Sequence, residues 1–316
     1  MSGVAAKTKL TDSEREELRA ERAIAAPFRG RFETRIVATF VAFAVLWTTV
    51  LVLGIIGAIP LWLGLILNTF IASTFYMPLH EATHGNIWGA TDTWRRGEDV
   101  IGVLSSIPAG ICYGAHRSSH MRHHAHTNNP DKDPDHYTQG KLSALPLKWL
   151  SLVLAQLILP LFAVAPVLTR VLPATVRHSL LEVDGGGKKA QLQTLRYWAL
   201  SHGALVAAFL LGFGWPVLLL WYVPARLQAL WLLFVFAWYP HHPANEVGRY
   251  VDTRTAVFPG STLLIRGHDY HSLHHLFPRV PHYRLEALWQ EMGEDLAAKG
   301  VRTQGKALGA TGPVVW

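Results

Sequence analysis

Residues 36–79 read IVATFVAFAVLWTTVLVLGIIGAIPLWLGLILNTFIASTFYMPL, and no side chain from Ile36 to Leu79 carries a charge. A bilayer-spanning helix needs about 20 apolar residues, so this run is long enough for two. Gly54, Gly57 and Pro60 supply the turn between them. The run therefore predicts a transmembrane hairpin, 36–56 and 60–79. Its second arm ends directly at His80-Glu81-Ala82-Thr83-His84.

A second hairpin is expected at 197–213 and 215–240, turning at Gly212-Phe213-Gly214-Trp215-Pro216 and running into Tyr239-Pro240-His241-His242. Arg226 stands inside it. A charge at bilayer depth is costly and faces an interface, water or the protein interior. Pro224 just before it can interrupt the helix, which favours an interfacial position. Between the hairpins, 81–143 reads as a polar connection with a short interfacial or re-entrant apolar piece near 100–115. Residues 144–172, broken by Lys148, Pro160, Pro166 and Arg170, read as an amphipathic or re-entrant segment. Residues 173–196 read as a polar loop with Gly185-Gly186-Gly187-Lys188-Lys189 at its flexible tip.

Lys and Arg are absent from both hairpin turns and concentrate in the termini and the long connections. The positive-inside rule then puts both termini and every histidine cluster on the cytoplasmic side of an inner, cytoplasmic membrane. Half of the chain is hydrophobic and only 16% is charged, below the roughly 25% of soluble domains. The net charge of +7 lies between apolar runs rather than along one exposed face, which argues against nucleic acid as a partner. The single Cys112 excludes an internal disulfide and a Cys-rich metal site. The first 30 or so residues are charged and lack the apolar core of a secretory signal. Leu10 to Arg22 predicts a surface helix capped by Thr11 or Ser13, and Leu285 to Leu296 an amphipathic helix over the site. The expected division is a tail at 1–35, a membrane domain at 36–290 and a C-terminal tail at 291–316.

The chemistry lies in the histidines. His271, His274 and His275 are spaced i, i+3, i+4, as are His120, His123 and His124. On a helix that spacing turns three imidazoles to one face. His80 and His84 add a pair at i, i+4. These eight imidazoles, with His241 or His242 completing an odd set, are the candidate metal ligands. His116 and His126 are expected to hydrogen-bond around them. Asp133, Asp135 and Asp269 are candidates to accept the second ring N–H of a bound histidine, and Asn245 to hold a metal-bound water. His136, His178, His202 and His282 stand alone in sequence and read as ordinary structural residues. His80-Glu81-Ala82-Thr83-His84 also fits the H-E-x-x-H pattern of zinc proteases, with Glu81 as general base. An intramembrane zinc protease would leave the other clusters unexplained. Imidazole suits iron, copper, zinc and nickel. Two ions sharing so many nitrogens beside a membrane point to an O2-activating di-iron centre rather than to hydrolysis.

With its three boxes, HEATH at 80–84, HMRHH at 120–124 and HSLHH at 271–275, the chain resembles the integral-membrane fatty acid desaturase and hydroxylase superfamily. The stretches HHAHTNNPDKDPDH (123–136) and HLFPRVPHYR (275–284) are similar to the branch with bacterial desaturases and carotenoid ring hydroxylases. The resemblance implies two iron ions, O2 as co-substrate, and electrons from an external ferredoxin-like carrier. It implies a ligand at His241 or His242. The fold expected is an all-α integral-membrane protein: four transmembrane helices in two hairpins, plus a cytoplasmic helical cap holding the boxes. The activity expected is oxidation of unactivated C–H bonds in a lipid. Acyl desaturation comes first, and hydroxylation of a lipid or carotenoid ring second.

Overall fold

Thr11 opens the first helix. Its hydroxyl accepts from the Glu14 N–H while the Glu14 carboxylate accepts from the Thr11 N–H, a reciprocal cap that fixes the start of α1 (Asp12–Ala25). The computed structural model describes residues 11–89, 95–164, 167, 170 and 187–314. The described chain continues as α2 (Thr34–Ile55), α3 (Leu61–His84), α4 (Arg95–Ala109), α5 (Tyr113–His126), α6 (Leu145–Val164) and α7 (Gly187–Leu210). It ends with α8 (Gly214–Trp238), the short α9 (Ser261–Leu264), α10 (His271–Leu276) and α11 (Leu285–Ala298). The protein is mostly helical. One amendment to the all-α expectation is a two-stranded parallel sheet, β1 (Arg254–Val257) paired with β2 (Arg302–Gly305).

Among the described residues α2, α3 and α8 are long and apolar enough to cross a membrane. Only 11% of the most apolar window of α2 is buried by protein, so its Leu, Val and Ile surface needs hydrocarbon around it. The expected fourth span, 197–213, is the later part of α7. The 24-residue helix begins at Gly187, so the expected loop is corrected from there on, and residues 171–186 lie outside the described residues. Polarity misled the reading: Lys188-Lys189-Ala190-Gln191-Leu192-Gln193 are strong helix formers, and their charges say nothing against a helix. The amphipathic reading of 144–172 also needs correcting. Leu145, Trp149 and Val153 are buried on one face of α6, yet the exposed positions Leu147, Leu150 and Leu154 are apolar too.

The spans are fastened at one notch. Pro224 has no N–H to give to the carbonyl four residues before it, that of Leu220. A π-type turn forms at Leu218–Tyr222, and the Asn68 amide of α3 donates to the Leu220 carbonyl at 2.7 Å. Leu220 itself is fully buried. A Cβ on Gly54 or Gly64 would sit 2.3 Å from its methyls, so only glycine lets α2 and α3 close around it. Two more side chains of α8 bind the end of α4: Gln228 Nε2 donates to the Ala109 carbonyl at 2.5 Å and Trp221 Nε1 to that of Ile107 at 2.6 Å. Arg226 stacks its guanidinium 4.1 Å from the Tyr222 ring centre, and its Nε is buried without a hydrogen bond.

A second core lies outside the spans. Leu285, Leu288, Trp289, Met292 and Leu296 of α11 pack with Tyr270, Leu273 and Leu276 of the third box and with Ala25 of α1. The Glu21 carboxylate ties α1 to this body by accepting from Lys299, Arg249 and Tyr250. The i, i+3/i+4 apolar stripe of α11 thus backs directly onto the helix that carries three of the candidate ligands.

Candidate metal centre

Four chain segments deliver the histidines. The first pair rides the last turns of α3, which stops at once because Gly85 adopts a left-handed conformation (φ +70°). The second set lies on α5 and the third on α10. His241 follows the end of α8, whose last turns, Leu233–Trp238, are again of π type. His80, His84, His120, His123, His241, His271 and His274 are buried, and His124 and His275 are partly so.

These nine side chains form two groups. In the first, one ring nitrogen each from His80, His84, His120, His124 and His274 lies within 4.8 Å of all the others. Nε2 of His120 is 3.0 Å from Nε2 of both His84 and His124, and Nε2 of His124 is 3.0 Å from that of His274. In the second, His123, His241 and His275 converge in the same way. His271 joins them, its Nε2 3.0 Å from that of His241 and 3.1 Å from that of His275.

Hydrogen bonding cannot satisfy this pattern. An imidazole nitrogen has one in-plane lobe, an N–H or a lone pair, and so serves one partner. His120, His124 and His271 would each have to serve two. Lone pairs aimed at a shared cation meet no such conflict. Two nitrogens about 2.1 Å from a metal and roughly 90–110° apart are about 3.0–3.4 Å from each other. The donor set therefore fits two metal ions, with nitrogen ligands throughout. Burial holds the imidazoles of His120, His124, His241, His271, His274 and His275 well below their ordinary pKa. They are neutral at pH 7, the form that binds metal.

The outer ring nitrogens are held from behind. His123 Nδ1 donates to Asp133 Oδ1 at 2.8 Å, and the same carboxylate accepts from the backbone N–H groups of Asn128 and Asp135. Burial pushes the His123 imidazole down, but Asp133 and Asp135 outweigh it and lift it to about 9. Thr127 donates its hydroxyl proton to the His123 carbonyl, so its oxygen accepts from His275 Nδ1, 3.2 Å away. In both histidines the Nδ1–H is thereby fixed and Nε2 is turned to the group. The segment around His241 is gripped from the sheet. Arg302 donates to the carbonyls of His242 and His241, and Arg254 to that of Tyr239.

Other candidates lie elsewhere. His242 joins neither group and lies tilted against the Trp238 ring, 4.5 Å between centres. Asp269 accepts from Ser261 and Thr262 rather than from an imidazole. Asn245 and His126 are exposed, and His116 stacks on His120 with its Nε2 buried and without a hydrogen bond. Two residues missed in the sequence are in the centre. His268, fully buried, lies with His80 and Glu81, its Nδ1 3.3 Å from that of His271. His282 Nδ1 donates to Glu81 Oε1 at 2.9 Å. With Asn86 donating to its other oxygen at 2.7 Å, the buried Glu81 carboxylate is committed to structure. A hydrolytic base must reach a water on the metal, and Glu81 is not free to do so. His178 lies outside the described residues.

A cavity of about 240 Å³ opens beside the first group. His80, His116, His120, His123 and His271 form one wall. Ile111, Leu152, Ala229, Leu232, Leu233 and Phe236 form the other.

The model of the fatty acid desaturase family matches residues 56–306. A sn-1 acyl-lipid omega-3 desaturase (ferredoxin) from Synechocystis is 28% identical over 246 residues, 71% of this chain and 67% of that protein. Two beta-carotene ketolases from Paracoccus are each 26% identical, over 69% and 72% of this chain and 74% and 77% of theirs.

Proposed function

The chain belongs to the fatty acid desaturase family and is an oxidoreductase of the membrane, and from that premise we propose that it introduces a double bond into a lipid acyl chain, using O2 at a pair of iron ions. His80, His84, His120, His124 and His274 would hold one ion. His123, His241, His271 and His275 would hold the other. Bound there, the pair would supply the O2-activating oxidising power that an unactivated C–H bond requires.

The single observation that carries this reading is the cavity whose apolar wall faces the histidines. An acyl chain lying along Ile111, Leu152, Ala229 and Leu232 is brought alongside the first group while Phe236 and Tyr76 shield it from water. Asp133 holds the Nδ1 proton of His123, and Thr127 that of His275, so the ligand geometry does not depend on solvent. Among the described residues no carboxylate lies in either group, which keeps the donor set rich in nitrogen.

The membrane arrangement proposed with it has α7 as a fourth span, pairing with α8 as α2 pairs with α3. Both termini and the histidine groups then face the cytoplasm. Electrons come from a separate carrier of the ferredoxin type, as the name of the acyl-lipid relative states for that protein. Oxygen insertion into a carotenoid ring is the second reading, favoured by the two ketolases among the relatives.

Elemental mass spectrometry of detergent-purified protein tests the centre. Two irons per chain are expected, and a His120→Ala, His274→Ala double variant should lose them. One zinc per chain, indifferent to both substitutions, would overturn the proposal. Lipid analysis of expressing cells then separates the two readings by a new double bond or an added oxygen.

A further inference from the structure

A second, larger cavity of about 1180 Å³ lies between α4, α5 and α7 and shares no lining residue with the one at the histidines. Its wall on α7 is a single helix face: Lys189, Gln193, Arg196, Leu200 and Ala204 recur at spacings of three and four. The face runs from cationic to apolar. The other helices follow the same gradient. Asp99 and Arg117 line the cavity with the α7 cations, while Ile107 and Trp221 line it with Leu200 and Ala204.

Among the described residues the polar end is rich in cations. Arg117 stands 3.5 Å from Asp99, and Asp99 also accepts from the Tyr113 hydroxyl. Lys189 and Arg196 have no carboxylate partner among the described residues. Among the described residues, three cations thus face one carboxylate that is already engaged. The apolar end opens to the surface, where Val103 and Leu200 are more than half exposed, a surface that faces lipid in the membrane arrangement proposed above. An occupant must be anionic at one end and hydrocarbon at the other, and it must be available within the membrane. Basic pockets at the cytoplasmic end of membrane helices bind phosphate-bearing lipid head groups in this way.

We propose that this cavity seats an anionic glycerophospholipid of the surrounding bilayer, with its phosphate among Arg117, Lys189 and Arg196 and an acyl chain along Ile107, Leu200, Ala204 and Trp221. The lipid is a resident rather than the substrate, because the cavity is lined by none of the metal-group histidines. It leans on the outer face of α5, formed by Gly114, Arg117, Ser118 and Met121, whose other side carries His120, His123 and His124. Occupancy therefore braces the helix that contributes to both histidine groups.

The test is native mass spectrometry and thermal unfolding of the full chain in nanodiscs of phosphatidylcholine, with or without phosphatidylglycerol. Wild type should retain phosphatidylglycerol and unfold at higher temperature in its presence. A Lys189→Gln, Arg196→Gln double variant should retain it about thirty-fold less well, roughly a factor of five for each basic residue. Its iron content should be unchanged. Leu200→Trp, which fills the apolar end, should also lose the lipid, and it decides the matter if the double variant does not fold. Equal retention by wild type and both variants would overturn the proposal. So would retention of phosphatidylcholine in preference, or displacement of the lipid by oleate at equal concentration.

Discussion

Asp133 holds His123 through a 2.8 Å bond between carboxylate and Nδ1, and both side chains are buried. The bond fixes the ring's tautomer, so removing it should be felt at the metal rather than in the fold. Asp133→Ala should weaken metal retention by about 10–100-fold, the usual cost of losing a partner behind a ligand. Asp133→Asn, which keeps an acceptor oxygen without its charge, should fall in between. Metal content after titration with a chelator reads both. Unchanged retention in the alanine variant would show that His123 is not a ligand.

Arg302 acts one step further out, on the carbonyls of His241 and His242. Arg302→Ala should release His241 and lower occupancy of the second group while leaving the first filled, so iron should fall from about two towards about one per chain. Since His242 belongs to neither group, His242→Ala should leave the metal content unchanged. Elemental analysis of the two variants side by side checks the assignment, and equal loss in both would reverse it.

Asn68 satisfies a carbonyl that Pro224 cannot. Asn68→Ala should cost about 1 kcal/mol of stability, the usual net value of a hydrogen bond and near the average measured between membrane helices. Unfolding in mixed detergent measures it. Turnover per folded molecule should not change, because the notch lies in the spans away from the histidines.

Glu21 makes the docking of α1 sensitive to acid. Burial pushes its carboxyl up, but the bonds from Lys299, Arg249 and Tyr250 prevail and hold it below its ordinary value of 4.5. A carboxyl lowered in the folded state stabilises above its unfolded pKa and loses that contribution as pH falls through the folded one. The protection of residues 12–25 against hydrogen exchange, taken relative to the intrinsic rate at each pH, should therefore be constant near neutrality and fall as the pH drops below about 4.5. In Glu21→Gln this acid-dependent loss should be absent and protection should be lower than in the wild type near neutrality.

Much of the centre was legible in the sequence because helices convert spacing into direction. His80 with His84, and the i, i+3, i+4 sets on α5 and α10, need only a helix to face one way. What the sequence could not show were partners joined by the chain's return. His282 looked solitary, yet it lies 201 residues from the Glu81 it holds. His268 has no helical companion, and its place depends on the turn before α10. Arg254 and Arg302 meet the His241 segment only because β1 pairs with β2, and four-residue strands leave little trace in the pattern. The choice of His241 over His242 rests on the path of the backbone after α8. Asp269, adjacent to the third box in sequence, was drawn instead to the start of α9. The polar first turns of α7 were read as loop because charge was taken as a sign of irregular backbone.

Neither histidine group can exist before the third box is in place, since one includes His274 and the other His275. A chain emerging from the ribosome would insert α2, α3 and α8 while still lacking a ligand for each ion. On the proposed assignment, metal loading would then follow synthesis of the third box. On that assignment, a cell short of iron would accumulate full-length, inserted protein with unmetallated imidazoles at its centre, and truncation anywhere before residue 274 would take a ligand from both groups at once.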